Sequence, residues 1–99
     1  MSTEMNIAKH AVEDKIESQV KTVQALLDTL KAKAESAKAN AELKAIADLM
    51  TQKLVIDRKL DELKKSAETA YQQTQADLES RVAALQRSVQ AIEAKFRAA

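Results

Sequence analysis

The residues best placed to do chemistry in this 99-residue chain are His10 and three carboxylates, Glu13, Asp14 and Glu17. They follow the histidine at i+3, i+4 and i+7, so a helix would gather them toward one face. Such a face could hold a divalent cation or pass a proton. The rest of the sequence argues against it. There is no second histidine, and Ile7 stands three before His10, so the Glu-x-x-His pairs of a carboxylate-bridged metal bundle are absent. Cysteine and glycine are missing altogether. That excludes thiolate ligands, a Gly-x-Ser-x-Gly elbow and a glycine-rich phosphate loop. A Ser–His–Asp arrangement would have to be centred on His10. The expectation is an exposed histidine with ordinary helical ion pairs, in a protein that is not an enzyme. No catalytic residue, metal or cofactor is expected.

Nucleic acid is an equally poor fit. The densest basic cluster, Arg58, Lys59, Lys64 and Lys65, is interleaved with Asp57, Asp61 and Glu62. The formal charge of the chain is only +1, and aromatics are 2% of it. Neither a phosphate-attracting field nor a stacking platform can be built from that.

The composition points to long helices. There are 16 basic and 15 acidic residues, no proline and no tryptophan. Nineteen alanines make up nearly half of the 45% hydrophobic content. Sheets need tight turns rich in Gly, Pro and Asn, and only Asn6 and Asn40 are available. This is the composition of an all-α chain with coiled-coil packing. No uncharged run approaches the length of a membrane span. The first residues lack a basic region followed by an apolar core. A cytoplasmic location is the default expectation.

The apolar pattern supplies the elements. From Ile16 the steps alternate between four and three: Val20, Val23, Leu27, Leu30, then Ala34, Ala37 and Ala41. This is a heptad seam. A second run reads Ile56, Leu60, Leu63, Ala67, Ala70 and Thr74. A third reads Leu78, Val82, Leu85, Val89, Ile92 and Phe96. Two successive steps of four join the last two runs, a stutter in the seam. Thr74 is expected as a polar layer within it. Tyr71 is expected in the core with its hydroxyl reaching solvent.

Residues 43–55 lose this phase, and a turn can be placed there. Fold the chain near residue 50 and charge blocks of opposite sign face one another. The leading expectation is therefore a long antiparallel helical hairpin forming a single domain over 1–99. Arm one covers about 4–47, the turn about 48–52 and arm two about 53–97. Two helices leave half of each seam uncovered, so association into a four-helix bundle is expected. The main rival is one continuous helix in a parallel coiled coil. A three-helix bundle with turns near 38 and 67 ranks third, because the sequence marks neither turn. Asn40 is the candidate N-cap for the first of them and Thr69 for the second.

The function that follows is non-enzymatic. The chain is read as a structural or interaction protein that self-associates through its seam and scaffolds a partner. The seam is Ile16, Val20, Val23, Leu27, Leu30, Ile56, Leu60, Leu63, Leu78, Val82, Leu85, Val89, Ile92 and Phe96. The expected partner is a second copy in a dimer, or another helical protein. The alternative is an amphipathic helical protein that binds a lipid or hydrophobic-inclusion surface. Against it stand the narrow, Ala-rich apolar face and the lack of aromatic anchors beyond Phe96.

Overall fold

A computed structural model describes residues 2–98, with side chains from Ala8 to Arg97. It is all-α. Helix α1 spans Ser2–Ser36, α2 spans Asn40–Lys65 and α3 spans Glu68–Ala98. Successive helices are antiparallel, so α1 and α3 run in the same direction with α2 between them in the chain order. The three pack side by side into a rod of 54 × 17 × 16 Å. Its long axis matches the length of α1, about 52 Å for 35 residues at 1.5 Å each.

The expected turn at 48–52 is not there. Those residues lie in the middle of α2, and the chain reverses at 37–39 and 66–67 instead. The loss of phase over 43–55 has a different cause. A helix in a three-helix bundle covers two neighbours, so its apolar stripe must be wider than a two-helix seam. Ile46 and Leu49 point into the core, and Leu43 and Met50 pack against its margin. Val55 lies with Ile56 beside Arg81 and Ala84 of α3.

The first link shows how the chain turns without glycine. The Ala39 N–H donates to the Ala34 carbonyl at 2.9 Å, and the Lys38 N–H donates to the Glu35 carbonyl at 3.2 Å. This pair of bonds is a Schellman motif, which requires a left-handed residue between them. Lys38 takes that role with φ of 55°. Its Cβ opposes the conformation, so the turn holds because the flanking helices pack, not because the residue favours it. Ala34, fully buried, and the partly buried Ala39 supply the apolar contact that accompanies such a turn.

Neither of the expected caps is used. Ala39, not Asn40, is the N-cap of α2, and no side chain bonds its first amides. At the second link the Ser66 N–H donates to the Leu63 carbonyl at 3.1 Å, and its hydroxyl donates to the Glu62 carbonyl at 2.7 Å. Ser66 then extends, with ψ of 143°. The Ala67 carbonyl accepts from Ala70 and Tyr71, so Ala67 caps α3 and Glu68 opens it.

The core is one continuous column of aliphatic side chains. Ile16, Val20, Val23, Leu27 and Leu30 come from α1, Ile56, Leu60 and Leu63 from α2, and Leu78, Val82, Leu85, Val89 and Ile92 from α3. All are buried, as the heptad steps predict. Phe96 is only partly covered at the end of the column. Each fully buried aliphatic contributes about 1.5–3 kcal/mol relative to exposure, much of it offset by chain ordering.

Two stability changes are expected. Lys38→Gly relieves the left-handed residue and should raise stability by about 1 kcal/mol, read from a chemical-denaturation midpoint. Leu85 is 1% exposed, so Leu85→Asp places a carboxylate in the column. It should abolish the cooperative helical melt seen by circular dichroism.

Candidate functional site

His10 and its carboxylates do not converge. His10 and Asp14 are exposed, Glu17 is half-buried, and Glu13 is turned into the bundle. Glu17 faces Lys64 of α2 at 3.6 Å and Lys21 of its own helix at 4.0 Å. Among the described residues, no three metal-ligating side chains are grouped to hold an ion.

Glu13 instead belongs to a junction with α3. It is the one buried charged residue among the described side chains, 9% exposed. Tyr71, also buried, donates its hydroxyl proton to Glu13 Oε2 at 2.9 Å. The phenol oxygen also lies 3.2 Å from the Lys9 carbonyl. The Lys9 ammonium sits 4.9 Å from the centre of the Tyr71 ring, within cation–π range. The junction is closed: no buried side-chain polar atom among those described lacks a partner.

This corrects the expectation for Tyr71. Its ring is in the core, but its hydroxyl is spent on Glu13 and not on water. Burial and the adjacent Glu13 carboxylate push the phenol up to about 12. Deprotonation would put a phenolate against a carboxylate in a poorly hydrated site. Thr74 is likewise only half-buried, at the rim with Gln75. The sequence signal for Tyr71 was its heptad distance from Leu78, hidden because Ala67 and Ala70 offered an unbroken alternative. Both of those alanines are exposed.

The remaining polar surface is a set of ion pairs. Lys53 meets Asp57 at 2.7 Å. Asp77 accepts from Arg81 at 3.0 Å and faces Lys59 of α2 at 3.5 Å. The Arg81 guanidinium, helped by Lys59, holds the Asp77 carboxyl below its usual range. The basic cluster is thus partly engaged: Lys59 with Asp77, Lys64 with Glu17. Such exposed pairs are individually worth a few tenths of a kcal/mol up to about 1.

The interhelical grooves are open and polar-edged. One of about 440 Å³ between α1 and α2 is flanked by Glu17, Lys21, Lys53, Asp57 and Lys64 over Val20 and Leu60. Another, between α1 and α3, carries Gln19, Gln75 and Gln86. Mixed charges and amides around a shallow apolar floor do not select a particular ligand. No helix among the described residues is long and apolar enough to cross a membrane.

All fourteen seam residues therefore lie in the intramolecular column, thirteen buried and Phe96 at its margin. The third helix supplies the covering that a hairpin would have needed from another chain. Comparison with protein-family models, curated proteins and solved structures finds no match.

The chain has one tyrosine and no tryptophan, so phenolate absorbance reports Tyr71 alone. It should titrate near pH 12 in the folded protein. The folded-state value is raised above the ordinary 10. Its stabilising effect is therefore complete below about pH 10 and is lost as pH rises toward 12. Tyr71→Phe leaves the Glu13 carboxylate without its donor and should cost about 1–3 kcal/mol at neutral pH. It should also flatten the loss of stability between pH 10 and 12.

Proposed function

We propose that this chain is a non-enzymatic structural or interaction module that works by holding helices together, self-associates and scaffolds a partner. The observation that carries the structural part of this reading is the aliphatic column; self-association and the partner are proposed beside it. Among the described residues the column is the one large favourable interaction, and it takes nearly every large apolar side chain described in the three helices. The polar groups around it are engaged in pairing and orienting helices: Tyr71 with Glu13, Lys59 with Asp77, Lys64 with Glu17. A rod of this kind acts as a spacer or a rigid face for another helix.

Binding to a lipid or hydrophobic-inclusion surface is the second reading. Leu54, 54% exposed on α2, favours it, together with the half-buried Met50 four residues earlier. One isolated leucine is a small anchor beside a closed core.

Mass determination by light scattering, with thermal melts over a hundredfold dilution, tests the first reading. A dimer and a melting temperature that rises with concentration are expected. A monomeric mass and a constant melting temperature would refute self-association. Flotation of the protein with liposomes would shift the assignment to the second reading.

A further inference from the structure

We propose that the link at Ser66 and Ala67 is a hinge through which two copies of the chain exchange α3. The inference rests on the self-association proposed above and specifies how it occurs. The column is buried inside one chain, so a second copy reaches it only by replacing one of the helices.

The sequence carries a register for the opened form. Leu60, Leu63, Ala67, Ala70, Thr74 and Leu78 continue the seam straight through the link, with one stutter. In the closed bundle Ala67 and Ala70 of this run are exposed at the link; exchange leaves Tyr71 in its core position and needs only Ala67 and Ala70 to face the junction between the copies. Nothing in the link forbids a helix. It holds neither glycine nor proline, and only two residues, Ser66 and Ala67, lie outside the helices, Ser66 with an extended ψ of 143°. Alanine is the best residue inside a helix and among the poorest at its N-cap, so Ala67 favours continuation over the break. The amides of Ala67, Glu68 and Thr69 make no backbone hydrogen bond across the link. In a continuous helix they would bond the carbonyls of Leu63, Lys64 and Lys65.

Straightening makes residues 40–98 one helix of about 88 Å. Each α3 then packs on α1 and α2 of the other copy. The Tyr71–Glu13 and Lys59–Asp77 contacts re-form between chains, so little of the packing is lost. The first link is less suited. A helix running through it would need three steps of four and one of three to reach Ile56 from Ala41, and every such path puts the polar Gln52 or Lys53 in the seam.

Gln52 and Ala84 face one groove between α2 and α3, and the chain has no cysteine. The test refolds, at high protein concentration, a mixture of chains spin-labelled at an introduced cysteine at position 52 or at position 84. Exchange predicts a dimer with a short distance between chains. Within one chain the two positions would separate to about 48 Å at 1.5 Å per residue. Glu68→Pro provides the second arm. Proline is accepted at the first position of α3, where the amide is already free, but is strongly disfavoured inside a continuous helix. It should leave the monomer folded and weaken the dimer at least a hundredfold. Ala67→Asp, which caps α3, should weaken it about fivefold per link. A dimer with no short interchain distance, indifferent to both substitutions, would overturn exchange and leave self-association standing. A chain that stays monomeric after refolding at every concentration would overturn both.

Discussion

The structure depends on the burial of one aliphatic column by three helices that cannot hold themselves in place separately. Helix α2 has no side-chain cap that would fix its start independently of packing, and an alanine precedes the first residue of both α2 and α3. The reversal between α1 and α2 uses a lysine where the backbone prefers glycine. Local signals are therefore neutral or mildly opposed to the breaks. The breaks exist because a long seam, folded twice, buries more apolar surface than the same seam left straight.

Electrostatics reinforce this threading. Residues 1–17 and 67–80 carry net −2 and −3, and the 52–66 segment packed with them carries +2. At the other end, 18–34 and 81–99 carry +2 and +3, while 35–51 carries −1. At each level α2 opposes both neighbours in sign. Helices α1 and α3 are alike in sign, and the interhelical ion pairs among the described residues join α2 to one or the other. Between α1 and α3 the polar contacts among the described residues are those of Tyr71 with Glu13 and with the Lys9 carbonyl.

Much of the fold was legible in the sequence, and the reasons differ from element to element. The seam positions follow from step lengths, which report burial directly, so Ile16 through Leu30 and Leu78 through Ile92 are where the spacing puts them. The charge blocks fit one turn near residue 50. They fit two turns equally well, because alternating blocks satisfy any antiparallel folding of matching length. The turns at 37–39 and 66–67 carry no Gly or Pro, and no side chain caps the start of α2, so propensity could not mark them. The Glu13–Tyr71 contact spans 58 residues, and no local pattern encodes a pairing at that distance. His10 is a titratable group beside carboxylates, yet the residue with structural consequence in that stretch is Glu13, turned inward against a tyrosine from another helix.

The Glu13–Tyr71 contact also bears on handedness. Three helices joined by short links can wind around their common axis in either sense, and aliphatic side chains scarcely distinguish the two. Winding the other way would exchange the flanks that α1 and α3 present to each other. The tyrosine hydroxyl and the carboxylate would then part company, and Glu13 would lose the side-chain donor that serves it in this bundle. A single polar clasp can thus select between near mirror-image arrangements of an otherwise indifferent greasy interior.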